Sequence, residues 1–387
     1  MKIKHLEGLR GIAALSVIFC HLRNTCFVVQ QDILNSLINN LHVHKIFKSL
    51  LVGIINLFLD GELAVWIFWV LSSYVISILF FKPDGDYDKI VISYFSKRYL
   101  RLLFPVLASV LFAFLLLKFG LMYNTKLAVL LGSPYLNDWL DSFYNFDASF
   151  IKAIKSAFYE TFFNFQLSST YNAVLWTIQN EFLGSLFIFS IFGIIRHNKR
   201  RYILYLIIIL VILKLHLLWL LAFVVGHILC DYEFSSSQDK VFNFIRTFEL
   251  RIHRFKMPVF ILSLLFIIFG RDIMIHLKIP TEYQNLVLGI FIVYICLKNK
   301  YYQTIFSTKT PLWLGSISFS MYLIHLPIIC SLTSYLVLTH CSLQGKILAS
   351  ISTLVVVFFL SHFFTKYIDN KGVFYAKKIG DYFKKYS

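Results

Sequence analysis

Long apolar runs separated by short polar or basic segments make up most of the chain. Ten of these runs approach the roughly 20 residues that an α-helix needs to cross a lipid bilayer. They cover residues 9–29, 62–81, 102–121, 174–195, 202–213, 217–231, 257–270, 284–297, 312–338 and 347–365. The sequence shows neither an internal repeat nor a low-complexity linker. The pattern therefore predicts one all-α domain over residues 1–387, with about ten transmembrane helices.

The composition indicates the same class of protein. Hydrophobic residues make up 58% of the 387 residues and charged residues 15%, and the mean hydropathy is +0.71. A soluble core does not need this much apolar surface. The net charge of +17 would suit a nucleic-acid-binding protein if the basic residues shared a solvated face. Here they lie between apolar runs, so we expect contact with membrane lipids and no nucleic-acid partner.

The positions of the basic residues predict the orientation in the membrane. If the N-terminus is cytoplasmic, 26 of the 37 Lys and Arg residues fall in segments on the cytoplasmic side. This bias follows the positive-inside rule and places both termini in the cytoplasm. The longest polar segment, residues 122–173, then lies on the outer side. It is an ordered lid or a substrate-binding surface, or it is simply a re-entrant or amphipathic connector.

The first apolar run carries two ionisable residues within "HLEGLRGIAALSVIFCHL", residues 5–22. Arg10 and His21 are eleven residues apart, so they share one face of a helix and lie about 16 Å apart along its axis. A central arginine costs about 2.5–3.5 kcal/mol to insert into lipid, so this face should meet protein or water. In the alternative interpretation, Arg10 reaches the inner headgroups and His21 is a hydrogen-bonded core residue.

A pair of arginines lies at the cytoplasmic start of the third run, in "SKRYLRLLFP" at residues 96–105. Arg98 and Arg101 are three residues apart and therefore neighbours on one helical face. Two guanidinium groups can grip phosphate oxygens through paired hydrogen bonds. The alternative is an ordinary basic anchor that touches anionic lipid.

A buried carboxylate is predicted in the fourth run, in "LWTIQNEFLGS" at residues 175–185. An unpaired carboxylate is costly in an apolar span, so Glu181 should have a partner or a function. It can orient or deprotonate His21, act on a substrate, or simply pair with a buried arginine. These three possibilities stay open at the level of the sequence.

The ninth run contains a tyrosine and a histidine on one face, within "SISFSMYLIHLPI" at residues 316–328. Tyr322 and His325 are three residues apart. Pro327 has no N–H to donate to the carbonyl of Leu323, so the helix is expected to bend beside the histidine. A single membrane histidine is more often structural than catalytic, but four such polar clusters in one chain favour a function.

Taken in order, these segments and "GELAVWIFWVLSSYVIS" at residues 61–77 resemble the acyltransferase 3 family of membrane O-acyltransferases. The resemblance spans nearly the whole chain, and the arginine and histidine spacing in the first run is its most specific element. One difference is that Ser72-Ser73 stands where the family usually has Ser-Gly, which bears on helix packing. No C-terminal esterase-like domain is recognisable, so we expect the transmembrane domain to act alone.

The resemblance implies transfer of an acyl group, usually acetyl, from cytoplasmic acetyl-CoA to a carbohydrate hydroxyl at the outer side of the bacterial inner membrane. Such a reaction needs a base, an anchor for the CoA phosphates and a partner for the developing oxyanion. No metal is expected. In this reaction His21 would be the base, Arg98 and Arg101 would anchor the donor, and Arg10 would stabilise charge or line the route. Glu181 would tune His21 or help bind the acceptor. Supporting roles would fall to Tyr322, His325 and Trp176.

Several alternatives remain open in the sequence. A proton-coupled transporter also has about ten helices with buried Arg, His and Glu residues. Within the acyltransferase interpretation, transfer can be direct or pass through a covalent acyl-enzyme, and the acyl group can be larger than acetyl. The acceptor can be O-antigen, another surface polysaccharide or its lipid-linked precursor, and the oligomeric state is unknown. All versions of the enzyme require a polar passage between the two sides of the membrane.

Overall fold

The computed structural model describes residues 3–27, 45–81, 87–132, 139–195, 200–234, 240–253 and 256–386. Within these ranges the chain is helical, with short 3-10 and π turns and no strand, which confirms the all-α prediction. Some predicted features lie outside the described residues: Lys2, residues 28–29 of the first run, Lys82, residues 133–138 of the outer segment and residues 196–199.

Seventeen α-helices of six residues or more form the described part of the chain. The first nine are α1 (Lys4–Leu22), α2 (Lys45–Phe58), α3 (Gly61–Ser77), α4 (Tyr87–Lys118), α5 (Asn124–Leu131), α6 (Phe150–Lys155), α7 (Trp176–Ile195), α8 (Arg201–Lys214) and α9 (Leu218–Phe234). The others are α10 (Lys240–His253), α11 (Lys256–His276), α12 (Thr281–Lys298), α13 (Lys300–Phe306), α14 (Lys309–Ile328), α15 (Ser334–Thr339), α16 (Leu343–Phe364) and α17 (Asn370–Tyr386).

The long apolar helices make this a multi-pass membrane protein, and the described residues of each of the ten predicted runs lie mostly in helix. Five described stretches are long and apolar enough to cross a bilayer: Ser93–Lys118, Ala173–Ile195, Met257–His276, Lys309–Thr339 and Leu343–Tyr382. A sixth is counted if α2 and α3, which meet at a 59° bend, form one span. The structure thus supports several crossings, while the number ten stays a prediction.

Two glycines bring the backbones of α1 and α14 into direct contact. A methyl group on Gly11 would lie 2.3 Å from the backbone nitrogen of Gly315, and one on Gly315 would lie 2.2 Å from the carbonyl oxygen of Glu7. Small residues allow this approach, and close packing is a main source of helix association in a membrane. We call this contact the glycine seam (Gly11 and Gly315). It joins the two helices that carry His21 and His325.

We expect Gly315→Ala to lower the melting temperature of the detergent-solubilised protein, because its methyl group collides with backbone that cannot rotate away. Overpacking of this kind costs about 1–3 kcal/mol. Gly289→Ala is the matched control, since its methyl group would meet the Cβ atom of Trp66 at 3.2 Å. Its effect on the melting temperature should be smaller. Equal losses in the two variants would contradict the special tightness of the glycine seam.

The second serine of Ser72-Ser73 fits into the packing of α3 against α9. Ser73 is fully buried, and its hydroxyl donates a hydrogen bond to the carbonyl of Phe223. Room for it comes from Gly226, where a methyl group would lie only 2.9 Å from the Cβ atom of Ser73. The difference from the usual family pattern is therefore accommodated by a glycine on the neighbouring helix.

Candidate active site

Two cavities lie along α1, one toward each end of the helix. We call the first the arginine cavity; it measures about 260 Å³, and its polar lining consists of Arg10, Ser72, Arg98, Arg101, Thr177, Glu181, Ser318 and Tyr322. We call the second the histidine cavity; it measures about 390 Å³ and is lined by His21, Trp139, Ser142, Phe143, Phe165, Leu167, Ala173, Val174, Trp176 and Leu326. Arg10 and His21 therefore both line cavities.

A hydrogen-bonded cluster around Arg98 forms one wall of the arginine cavity. The Arg98 Nη2 atom lies 2.5 Å from Glu181 Oε1 and 3.1 Å from Ser72 Oγ, and its Nε donates to Ser185 Oγ at 3.0 Å. Ser72 also donates to Glu181 Oε1, at 3.1 Å. The ion pair is largely shielded from solvent, with side-chain exposures of 16% and 24%. Glu181 thus occupies the arginine cavity as the partner of a buried arginine.

Arg101 is held by the junction between α16 and α17. Its Nη1 atom forms an ion pair with Asp369, which is buried in the π turn that joins these helices. Its guanidinium also lies over the ring of Phe319, 5.4 Å from the centroid. Carboxylate and ring fix the guanidinium at the cavity wall, where it can present its remaining donors to a ligand.

The charges of the arginine cavity favour an anionic ligand. Arg10, Arg98 and Arg101 all line it, whereas Glu181 is the one carboxylate among its lining residues. The guanidinium of Arg10 is close enough to interact electrostatically with the charged groups of Glu181, Glu7, Arg98 and Arg101. An excess of guanidinium groups in a shielded site is suited to phosphate or to a developing oxyanion.

His21 is paired with His325 across the interface between α1 and α14. Their rings stack with centroids 5.0 Å apart and 18° between the planes, and His21 Nδ1 lies 2.8 Å from His325 Nε2. The other nitrogen of His325, Nδ1, lies 3.1 Å from the carbonyl oxygen of Met321. His325 is fully buried. The hydrogen-bond partner of the His21 imidazole is therefore a second histidine, 304 positions away in the sequence.

The hydrogen bonds of this pair select one tautomer for each neutral ring. A carbonyl oxygen only accepts, so His325 Nδ1 carries the proton that is shared with Met321. His325 Nε2 then has the free lone pair and must accept the proton of His21 Nδ1. This leaves a lone pair on His21 Nε2, the nitrogen that a general base or a nucleophile uses.

Aromatic side chains from the outer segment form much of the wall of the histidine cavity. Trp139 lies 5.4 Å from the His21 ring and 5.4 Å from Phe143, measured between centroids. The wall is fastened by Asn124, whose Nδ2 atom donates to the carbonyls of Leu140 and Phe143 at 2.9 Å each. Described residues of the segment thus form part of the wall of the histidine cavity, and a role as a lid stays a prediction.

A hydrogen-bonded layer lies where the linings of the two cavities meet, and the continuous polar passage between the two sides stays a prediction. Val174 belongs to the histidine cavity, while Thr177 and Tyr322 belong to the arginine cavity. The hydroxyls of Thr177 and Tyr322 are 2.7 Å apart, and both lie within 3.2 Å of the Val174 carbonyl oxygen. We call Val174, Thr177 and Tyr322 the partition. Its closing groups are two side-chain hydroxyls, which can rotate.

The structure divides the eight predicted site residues between the cavities. It brings Arg10, Arg98, Arg101, Glu181 and Tyr322 to the arginine cavity, Trp176 and His21 to the histidine cavity, and His325 behind His21. Pairing of Glu181 with His21, one of the possibilities the sequence left open, is not the arrangement found. Asp369 and Trp139 had not been singled out. An acid four residues after the last apolar run was a signal for Asp369, whereas Trp139 was indicated only as part of the outer segment.

The comparison with known families covers nearly the whole chain. The family model described as "Acyltransferase domain" matches residues 3–366, which is nearly the whole chain. No curated protein and no solved structure matches the chain. Since the family match covers α1 to α16 and therefore every residue of both cavities, the chain belongs to the acyltransferase 3 family and is a membrane acyltransferase.

Proposed function

We propose that this chain transfers an acetyl group from cytoplasmic acetyl-CoA to a hydroxyl group of a cell-surface carbohydrate, at the outer face of the bacterial inner membrane. The observation that supports this proposal most is the 2.8 Å contact between His21 Nδ1 and His325 Nε2. With the tautomers inferred above, it leaves a lone pair on Nε2 of His21, and His21 lines the histidine cavity. The donor would enter at the arginine cavity and the acceptor at the histidine cavity.

The topology adopted by this proposal has ten crossings and two cytoplasmic termini. Arg10 lies near the N-terminal end of α1 and His21 near its C-terminal end. If the N-terminus is cytoplasmic, the arginine cavity faces the compartment that holds acetyl-CoA and the histidine cavity faces outward. The positive-inside bias of the sequence supports this direction.

The arginine cavity would hold the thioester arm of the donor, with Arg98 and Arg101 directed at its phosphates. Its volume of about 260 Å³ is below that of pockets that enclose a whole drug-sized ligand. The nucleotide end of CoA would therefore stay at the cytoplasmic mouth. Arg10, about 16 Å from His21 along α1, would line the route of the acyl arm toward the histidine cavity.

The reaction would use Nε2 of His21 as the reacting nitrogen. In direct transfer it removes the proton of the acceptor hydroxyl, the new oxygen–carbon bond forms at the thioester carbonyl, and the carbon–sulfur bond breaks. His21 then returns the proton to the departing CoA thiolate. In a covalent route the same nitrogen attacks the thioester carbonyl and the carbon–sulfur bond breaks to release the CoA thiolate. The acceptor oxygen then takes the acetyl group from this nitrogen, and the hydroxyl proton ends on the thiolate. Both routes depend on the tautomer that His325 selects.

The acceptor class is proposed from the aromatic wall of the histidine cavity. Trp139, Phe143 and Trp176 all line it, and Trp176 is 40% exposed. Aromatic faces offer flat, apolar contact area with little conformational freedom to lose. The apolar faces of sugar rings pack well on such surfaces, while their hydroxyls remain available to His21.

The decisive experiment supplies purified protein in proteoliposomes with radiolabelled acetyl-CoA on one side and surface glycan extracted from the producing cells on the other. We expect CoA release and label on the glycan. Substrate flux without CoA release or labelled glycan would instead indicate a proton-coupled carrier. Mass spectrometry of surface glycans from cells with and without the gene would then identify the acetylated sugar.

We expect Tyr322→Phe to uncouple CoA release from glycan acetylation, because the partition loses a hydroxyl and opens more often to water. A hydrogen bond contributes about 0.5–1.5 kcal/mol net, so the ratio of released CoA to acetylated glycan should rise about 2- to 10-fold. Ser318→Ala is the control: Ser318 lines the same cavity, but its hydroxyl bonds to Gly315 and not to the partition. An unchanged ratio in Tyr322→Phe would show that the partition does not seal the route.

A further inference from the structure

Pro327 leaves one backbone carbonyl of α14 without its helical donor, and a side chain from another part of the chain replaces that donor. Proline has no N–H, so the carbonyl of Leu323, four residues earlier, loses its usual bond. In the structure this oxygen accepts a hydrogen bond from Asn172 Nδ2, at 2.7 Å. Asn172 is fully buried and lies just before the short 3-10 turn that leads into α7.

The same segment is bonded to α14 at two consecutive residues. Asn172 binds the carbonyl of Leu323, and the carbonyl of Val174 accepts a bond from the hydroxyl of Tyr322, at 3.2 Å. Two bonds to neighbouring residues of one helix fix both its depth and its rotation. The imidazole of His325 follows Leu323 by two residues and is therefore placed by this attachment.

The side-chain amide of Asn172 is only partly hydrogen-bonded among the described residues. Within the part of the chain that the structure describes, its Oδ1 atom is buried and has no hydrogen-bond donor. Buried acceptors without donors are rare and destabilising, so they call for a reason to be kept. An aliphatic residue of similar size would avoid the unpaired oxygen but would leave the Leu323 carbonyl unpaired.

From these contacts we infer that Asn172 is a positioning residue for the histidine pair: its amide holds α14 at the Pro327 bend, so that His325 Nε2 meets His21 Nδ1. This inference rests on the proposed function in so far as it assigns the His21 tautomer a catalytic purpose. Asn172 itself acts through His325 and is not placed in contact with substrate. Because Asn172 and Leu323 are 151 residues apart, the sequence alone does not indicate that they interact.

The test compares Asn172→Leu with Asn124→Leu in the full-length protein. Both asparagines are buried and donate through Nδ2 to backbone carbonyls, but those of Asn124 belong to the outer segment. We expect Asn172→Leu to lower kcat for CoA release, with extracted surface glycan as acceptor, by about 10- to 100-fold at unchanged KM for acetyl-CoA. Asn124→Leu should mainly raise the KM for the glycan.

A second readout follows the tautomer directly. Nitrogen-15 NMR of histidine-labelled protein distinguishes the two neutral tautomers, and the His21 signal is identified by its loss in His21→Gln. Wild-type protein should show His21 protonated at Nδ1, and Asn172→Leu should show a mixture. In a Pro327→Ala background, where a backbone N–H can again reach Leu323, the effect of Asn172→Leu on the signal should become smaller.

The outcomes separate this inference from the proposed function. An unchanged His21 signal in Asn172→Leu overturns the inference, whether kcat falls or not, because loss of activity alone would then be a general structural effect. A changed signal in a protein whose wild type transfers no acetyl group supports the positioning role and refutes the proposed function. A changed signal together with the fall in kcat supports both.

Discussion

Replacing His21 with glutamine is expected to lower kcat for glycan acetylation about 10²- to 10⁴-fold, the usual contribution of a positioned general base. Glutamine can still donate a hydrogen bond toward His325, but its amide nitrogen has no lone pair that accepts a proton. The variant should insert into the membrane and keep the wild-type melting temperature. His21→Ala should be equally inactive. The measurement is the rate of label transfer from acetyl-CoA to glycan in proteoliposomes.

The control for this experiment is His340→Gln, because His340 is exposed beyond α15 and its imidazole lies at hydrogen-bond distance from the hydroxyl of its neighbour Thr339. It should retain full activity. Wild-type turnover in His21→Gln would remove the base from the proposal. A loss of activity accompanied by a loss of folded protein would instead show that the histidine pair serves mainly to hold α1 against α14.

Removing Arg98 and Arg101, two of the three arginines of the arginine cavity, should produce the second large effect, a loss of donor binding. A hydrogen bond to a charged group contributes about 1.5–3 kcal/mol, so each guanidinium corresponds to about 10- to 100-fold in the Kd for acetyl-CoA. Arg101→Gln combined with Asp369→Asn should show this loss while preserving the fold, because Asp369 is buried and would otherwise keep an unpaired charge. Calorimetric titration of the purified protein with CoA measures the effect.

Arg98→Ala needs a compensating change, because it leaves Glu181 buried without its partner. Breaking a shielded ion pair from one side is strongly destabilising. Arg98→Gln combined with Glu181→Gln removes both charges and should weaken CoA binding while preserving the fold. Lys97→Gln is the control, since Lys97 pairs with Asp381 outside the cavity. Unchanged CoA affinity in the charge-free variants would refute a donor-binding role.

The helices of the fold were largely predictable from the sequence because apolar runs of bilayer length have few alternatives to helix. Six of the described helices lie outside the predicted runs. Three of them are short (α5, α6 and α13), and the three longer ones mix apolar and polar residues: α2 and α10 between predicted runs, and α17 after the last one. α10 and α17 are rich in lysine and arginine, so a search for apolar runs passes over them. Their amphipathic pattern, at a helical period, was the signal available.

The candidate site was predictable as a set of residues but not as a set of pairs. Arg10 and His21 lie on one helix, where spacing alone gives their relation. The partners of His21 and Glu181, namely His325 and Arg98, lie on other helices, 304 and 83 positions away. A buried carboxylate can neutralise any nearby cation, so its position in the sequence does not select between an imidazole and a guanidinium.

Pro327 shows the boundary between the two kinds of inference. Its sequence position alone implies that the Leu323 carbonyl needs a new donor, and this holds in the structure. The identity of that donor, Asn172, depends on which distant segment reaches the bend. Local stereochemistry predicts that one helical carbonyl lacks its backbone donor. Only the tertiary fold determines which side chain replaces that donor.

The glycine seam constrains how the enzyme can move during its reaction cycle. Because the Glu7 carbonyl occupies the space where a side chain at Gly315 would begin, α1 and α14 have no freedom to slide without a backbone collision. We therefore expect the histidines they carry to stay paired during the cycle. Motion that admits the acyl arm is then expected in the side chains of the partition or at the start of α7, so that the reactive pair is stationary while the entrance to it changes.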